Sequence, residues 1–354
     1  VLTDQGIKMA EQTGKFLREI AIASVYSSPL KRTRQTAQAI LSQLGSAPVL
    51  KYHSNLKEIS IPEWEGLTFK YVRSQLAESY QCWKERPHEF QMQLTETDTI
   101  KESSSTVLTK TAQKIETHCF PVLDLYAQAQ QFWREIIPNH TDQTILIVSH
   151  GGTIRALIGT AIGMGCEAFH TLQQSNCGVS VLDFPQGLHY PARLEAMNIT
   201  HHLGETLPKL KEGKLGLRLL LVSSEDWKHR QQLIQALQSV KLDFCLSSNN
   251  ADTFAQELLD QNPESTVHLR TAHNNFFETW HRALQAKFIC SGSLTTGLII
   301  ATPEAIRDAI SHTMEIPVIP SVLSLKPGTL TILQYPLNHR PVLQALNFSG
   351  VNEL

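Results

Sequence analysis

Residues 145–163 read Ile145-Leu146-Ile147-Val148-Ser149-His150-Gly151-Gly152-Thr153-Ile154-Arg155-Ala156-Leu157-Ile158-Gly159-Thr160-Ala161-Ile162-Gly163. The unbroken apolar run at its start suits a strand covered on both faces, as in a parallel sheet. A polar turn follows, then a helix from about Thr153 to Ile162. His150 thereby falls at the C-terminal edge of the sheet, where α/β proteins keep their sites. Gly151 and Gly152 allow a ligand close to the backbone, and the helix start offers unpaired N–H groups to an anion. A histidine that only shapes the helix start is the alternative reading.

Outward from this stretch the same alternation recurs. Thr3 and Asp4 offer a helix cap, with Ile7, Ala10, Phe16, Leu17 and Ile20 at near-helical spacing. Residues 23–26 read as a short strand, 30–44 as a helix, 67–86 as one helix ended by Pro87, and 178–184 as a strand. Strand–helix alternation predicts an α/β sandwich. The stretch 95–117 turns to Thr, Ser, Lys and Glu and reads as a surface insertion. Residues 204–216, GETLPKLKEGKLG, read as a linker.

After that linker the pattern restarts. Ile147-Val148-Ser149-His150 lines up with Ile299-Ile300-Ala301-Thr302, residues 179–185 with 330–336, and 194–200 with 343–349. The near-constant offsets of 152, 151 and 149 predict two copies of one fold, the second shorter.

Composition narrows the function classes. The 354 residues carry 31 Lys plus Arg against 33 Asp plus Glu, a net charge of −2, which makes nucleic acid and anionic membrane poor default partners. No apolar run approaches the length of a membrane span and no signal peptide is visible. Six scattered cysteines without a C-x-x-C pair fit reduced thiols in a cytoplasmic compartment. The chain opens at Val1 inside a helix cap and so reads as a fragment.

Two further stretches carry chemistry. Ser27-Ser28-Pro29-Leu30-Lys31-Arg32-Thr33-Arg34 runs from strand into helix with hydroxyls and cations at the turn. Cations at a helix N-terminus oppose the helix dipole, which hints at an anion there, and Arg32 can fork a phosphate. Leu56-Lys57-Glu58-Ile59-Ser60-Ile61-Pro62-Glu63-Trp64-Glu65-Gly66 places carboxylates near a tryptophan. A carboxyl in a partly apolar site can keep its proton and act as a general acid. His201-His202 and the trio His268, His273 and His281 lack metal-ligand spacing, so no metal is expected. There is no phosphate-binding G-x-x-x-x-G-K-[ST] loop. Trp227, Trp280, Phe276 and Phe277 read as core.

Together, the segments at 2–17, 25–41, 56–68 and 145–163 resemble the histidine phosphatase superfamily, the phosphoglycerate-mutase-like fold. Residues 173–184, QQSNCGVSVLDF, look particularly like plant 2-carboxyarabinitol-1-phosphate phosphatases and their two-domain cyanobacterial relatives. The resemblance implies a three-layer α/β/α sandwich, present twice, with a phosphatase domain over 1–203, the linker 204–216, and a degenerate, non-catalytic repeat over 217–354. It implies no cofactor. His150 would match the histidine that hydrogen-bonds the transferring phosphoryl group, with Gly151 beside it, Arg32 the phosphate-pocket arginine, and Glu58 the acid that protonates the leaving alcohol, with Glu65 its rival. The expected substrate is a small phosphorylated metabolite, hydrolysed through a phosphohistidine.

The sequence departs from the family in one respect that matters. The nucleophile lies in an Arg-His-Gly segment before the Leu2–Gly6 motif, and none of the 15 histidines has that context. The chain is therefore expected to be inactive by itself. A pseudo-phosphatase that binds or scaffolds, or a mutase, are the alternatives, and homo-oligomerisation is left open. In the second copy Ser223-Ser224-Glu225 replace Arg-His-Gly, Thr302 replaces His150, and Asp252 falls near the place of Arg32.

Overall fold

The structure is a computed structural model. It describes residues 1–94, 117–224, 230–248, 252–260, 268–271, 276, 280–281, 284, 292–315 and 322–349. The polar stretch at 95–117 therefore lies outside the described residues except for Thr117, as do Glu225, Trp227, His273 and Phe277.

Helix α1 (Asp4–Phe16) is capped by Thr3, whose hydroxyl accepts from the Gly6 N–H at 3.2 Å. It leads into β1 (Ile22–Ser27) and α2 (Lys31–Leu41). β1 lies between β2 (Val49–Tyr52) and β5 (Thr144–Val148), parallel to both. Helices α1 and α2 cover one face through Ala10, Leu17, Ala37 and Ile40. The other face is covered by α5 (Pro121–Ile136) and α6 (Gly151–Ile162), through Leu125, Phe132, Ala156 and Leu157. Between these elements, residues 69–85 form two helices, α3 (Phe69–Gln75) and α4 (Ala77–Glu85), where the sequence predicts one. Leu76 breaks the run with a non-helical backbone (φ −121°, ψ 44°). β3 (Met92–Leu94) and β4 (Thr117–Cys119) pair antiparallel in a two-stranded sheet.

The remaining strands form one sheet of eight, in the order β10-β9-β11-β8-β12-β13-β7-β6. Here β6 is Val179–Asp183, β7 Arg193–Ile199, β8 Gly216–Ser223, β9 Phe244–Ser248, β10 His268–Thr271, β11 Leu294–Ala301, β12 Leu330–Pro336 and β13 Val342–Phe348. Pairing is parallel from β10 through β8 and antiparallel from β8 to β6. β8 is buried along its whole length. Leu217, Leu219 and Leu221 face one core with α9 (Pro303–Met314), and Leu220 and Val222 face another with α7 (Arg230–Leu237) and α8 (Asp252–Asp260). Apolar runs on both faces are what a sheet between two helical layers requires. Trp280 and Phe276 are buried in the first of these cores, as the sequence predicts.

Two expectations change. β5 is half-buried over Ile145, Leu146 and Ile147 rather than fully covered, because among the described residues it pairs with β1 alone. β6 is half-buried throughout. In the larger sheet, by contrast, β8 stands between β11 and β12. Residues 204–216 are not a free spacer either. Their carbonyls at Pro208, Lys209 and Gly213 accept from Arg218 (2.7 Å), Gln173 (3.0 Å) and Gln334 (2.9 Å) side chains. The segment is a strap laid across both halves.

Candidate active site

His150 is the N-cap residue of α6, directly after β5, and its side chain does not cap that helix. Its ring is committed elsewhere. The Arg32 Nε–H donates to Nδ1 at 3.1 Å. A ring nitrogen that accepts carries no proton, so the proton of the neutral imidazole sits on Nε2 and goes to Ser28 Oγ, 2.8 Å away. Burial, with the Arg32 cation as a second cause, holds the ring pKa down at about 4. The imidazole is therefore neutral at pH 7, and its 3.9 Å approach to the Glu58 carboxylate is not an ion pair.

Arg32 reaches this place because β1 ends in a tightly bonded turn. Thr33 Oγ1 donates to the carbonyls of Ser28 (3.1 Å) and Leu30 (2.8 Å), and Ser28 N–H donates to the Val148 carbonyl at 3.0 Å. The turn is thus tied to the end of β5, and the first turn of α2 stands beside His150. No acidic residue occupies that first turn, and Arg32 is exposed.

Glu58 arrives on the loop after a 3-10 turn at Ser54–Leu56. That loop is pinned to the start of α6. Ser149 Oγ donates to the Leu56 carbonyl at 2.9 Å and Thr153 Oγ1 to the Lys57 carbonyl at 2.7 Å. Gly152 makes the approach possible, since a Cβ there would lie 2.7 Å from Glu58 Oε1. Burial pushes the Glu58 carboxyl pKa up, against the lowering effect of the Ile59 N–H and of Arg32 and Arg155. A carboxyl shifted that way is suited to deliver a proton. Glu65, its rival, is exposed at the end of the next 3-10 turn, Pro62–Trp64, and makes no described contact with His150 or Arg32.

The helix start beside His150 is open. A Cβ on Gly151 would meet nothing within 4 Å. At the corresponding place in the larger sheet, after β11, Thr302 caps α9 with its own hydroxyl, accepting from Ala305 N–H at 3.4 Å. The His150 side chain is turned to Arg32 and Ser28 instead; the Gly152 N–H faces the Glu58 carboxyl, and the Gly151 N–H stands in open space where an anion can reach it.

The profile of the histidine phosphatase superfamily (branch 1) matches residues 1–199. The chain belongs to that superfamily. A protein described as a probable 2-carboxy-D-arabinitol-1-phosphatase from Arabidopsis thaliana is 33% identical over 184 residues, covering 52% of this chain and 33% of that one. The 2-carboxy-D-arabinitol-1-phosphatase of Triticum aestivum is 30% identical over 184 residues, covering 52% and 32%. Phosphoserine phosphatase 1 of Hydrogenobacter thermophilus is 26% identical over 204 residues, covering 58% and 83%. The chain thus spans about a third of the length of the two plant relatives.

In this histidine phosphatase homologue the structure brings Arg32, Glu58, His150 and Gly151 to one sheet edge. Three more residues belong to the arrangement: Gly152, read from sequence as letting a ligand close to the backbone, and Ser28 and Arg155, which were not singled out. Ser28 takes the His150 proton, Gly152 admits Glu58, and Arg155 acts electrostatically on Glu58. All three lie inside the motifs quoted above, so the signal was present, but only packing shows what each does. Among the described residues no group of three metal-ligating side chains exists, and no helix is long and apolar enough to cross a membrane.

Proposed function

We propose that the first half of the chain binds a small phosphorylated metabolite and takes part in hydrolysis of its phosphomonoester. The observation that carries this is the convergence of an exposed arginine, a neutral histidine and a carboxyl whose pKa burial raises on a helix N-terminus. Arg32 and the Gly151 N–H at the start of α6 hold the non-bridging oxygens. His150 redirects its Nε2 proton from Ser28 to the phosphoryl group. Glu58 protonates the alcohol as the P–O bond breaks. With a phosphohistidine the N–P bond forms in the same step, and water later hydrolyses it.

That step needs a second imidazole. Among the described residues none bonds to Arg32, Glu58 or His150. The half-buried edges of β5 and β6 are a fitting place for a strand that brings one, as β8 stands between β11 and β12. The second half then reads as a non-catalytic copy, with Ser223 and Thr302 where the chemistry would need basic side chains. A phosphate-ligand module without turnover is the other reading, since among the described residues no second imidazole meets Arg32, Glu58 or His150.

Phosphate release from a panel of phosphomonoesters, measured with free imidazole supplied as the second ring, separates the two readings. Under hydrolysis, Glu58→Gln should lower release by about 100-fold or more. Under the binding reading the native chain releases none, yet it binds inorganic phosphate, and Arg32→Met abolishes that binding. Failure of the native chain to bind phosphate at all would remove both.

A further inference from the structure

The turn between β12 and β13, residues 337–341, belongs to the second half but reaches back to the first. Three consecutive residues make the contact. The Asn338 carbonyl accepts from Lys84 Nζ on α4. The His339 ring stands 6.2 Å from the His170 ring, edge to face at 79°. Arg340 Nη1 donates to the Glu167 carbonyl at 3.5 Å. Glu167 and His170 lie on a 3-10 helix, Cys166–Thr171. His339 is itself held from behind. Its Nδ1–H donates to the Arg340 carbonyl at 2.8 Å, and its Nε2 lies 3.7 Å from Glu212 on the strap. The His339 side chain is only 5% exposed, although it sits at a turn.

His170 connects this turn to the surroundings of Glu58. Its Nε2–H donates to the Trp83 carbonyl at 2.9 Å, and its ring packs 4.8 Å from Trp83 and 4.9 Å from Phe169 between centroids. Trp83 meets Trp64 and Phe90, the centre of the small cluster that the Glu58 loop enters at Ile61. Phe169 lies against α6, where a Cβ on Gly152 would be 3.6 Å from its ring and 2.7 Å from Glu58 Oε1. The loop that carries Glu58 thus has two supports, α6 with Phe169 and the tryptophan cluster with Trp83. His170 touches both. Interiors packed this closely have little slack, so a displaced His170 displaces its aromatic neighbours.

We propose that Asn338, His339 and Arg340 are positioning residues for the phosphate pocket of the first half: by fixing His170 they fix Trp83 and Phe169, and so keep the Glu58 carboxyl shielded from water. The value of that shielding rests on the reading of Glu58 as the acid of the pocket. Burial is the leading cause of its raised pKa, and a carboxyl so raised is suited to deliver a proton. The second half supplies no reacting group in the proposed function. It completes the site from outside, through a turn that touches neither Arg32 nor His150.

The test is NMR titration of the Glu58 carboxyl and the His150 ring in the full chain. In His339→Ala the packing on His170 is lost and water reaches Glu58, so its pKa should fall by about half a pH unit or more towards the ordinary value. His150 is held by Arg32 and Ser28 rather than by this wall, and should stay at about 4. His339→Phe keeps a ring against His170 and should hold Glu58 at its native value. Arg340→Met, at an exposed position where folding is not at stake, should lower the Glu58 pKa in the same direction. Leu258→Ala, in the core on the other face of β8, controls for general loosening. It should lower the denaturant midpoint and leave Glu58 unmoved. A Glu58 pKa unchanged in His339→Ala and Arg340→Met, an equal fall in His339→Phe or Leu258→Ala, or a His150 that shifts along with Glu58 would overturn the role of the turn. Inorganic phosphate is titrated into the same samples. A native chain that does not bind it would remove the phosphate pocket, while the Glu58 titration would still decide whether the turn shields the carboxyl.

Discussion

His150 is neutral chiefly because burial, and after it the Arg32 cation, disfavours the charged ring, while a donor at Nδ1 and a hydroxyl at Nε2 fix its orientation. Removing the donor should free the ring. In Arg32→Met the His150 pKa, followed by NMR, should rise from about 4 towards the ordinary value near 6.5. An unchanged pKa would mean that burial alone controls the ring. Gly152→Ala should act on the acid instead, since its Cβ would meet Glu58 Oε1 at 2.7 Å and push the carboxyl away. The expected outcome is a lowered Glu58 pKa with little change in phosphate affinity, and a Glu58 that titrates as before would contradict the packing argument. At this scale the sequence was informative about residue types and poor at choosing between neighbours. His150 and Arg32 each stand at a strand–helix turn, which periodicity reveals. Glu58 and Glu65 occupy similar acidic loops, and the choice between them depends on contacts to Gly152 and Lys57 that no local pattern encodes.

Among the elements, those defined by their own spacing were legible. The helix after His150 and the strand at 179–183 fall within two residues of the sequence reading. The single helix expected at 67–86 was not found, because Leu76 leaves helical geometry, although Val72, Leu76, Tyr80 and Trp83 of the two pieces pack into one cluster. The strap was misread for a different reason. Gly, Lys and Pro mark a segment that forms no helix or strand, but not whether its carbonyls meet partners. The junction of β7 and β13 has its own signature. Asn198 and Asn347 both adopt positive φ, 56° and 53°. Each donates its Nδ2 to the other strand, Asn198 to the Gln344 carbonyl (2.7 Å) and Asn347 to the Glu195 carbonyl (2.6 Å). Asn198→Ala loses that bond and the one accepted from Ser175 N–H, and it puts alanine, which tolerates left-handed backbone less well than asparagine, at φ 56°. A destabilisation of about 2–4 kcal/mol is expected from denaturant midpoints. A loss below about 0.5 kcal/mol would show that the junction does not depend on it.

At the scale of the whole molecule the two halves are one folding unit. β13 pairs with β7, and one apolar core joins Ile158 and Ile162 of the first half to Leu217, Leu219 and Ile310 of the second. Fluorescence and circular dichroism should therefore report a single coincident unfolding transition, and two separated transitions would contradict a shared core. Its pH dependence is set largely by buried histidines. Burial lowers His150, His201 and His202 to about 4 and His170 to about 3. Unfolded histidines bind protons from about pH 6.5, while these folded ones do not until far lower. The unfolded state then holds more protons, so stability should be greatest above about pH 6.5 and fall as the pH drops towards about 4. Glu58, shifted upwards, works in the opposite sense as one group against four. Equilibrium unfolding across that range checks the sign, and a flat profile would contradict it. That β6 and β7 extend the sheet of β8 to β13 was not legible in the sequence, because strand partners are set by edges that meet only after folding.

The central claim is that Arg32, His150 and Glu58 form a phosphate pocket. Its most direct test is a titration of the full chain with inorganic phosphate while the ring resonances of His150 are followed. The account predicts a saturable shift of those resonances in the native chain, as the Nε2 proton passes from Ser28 to the anion, and its loss in Arg32→Met. Resonances of His150 that stay fixed at saturating phosphate, or a shift that persists in Arg32→Met, would contradict it.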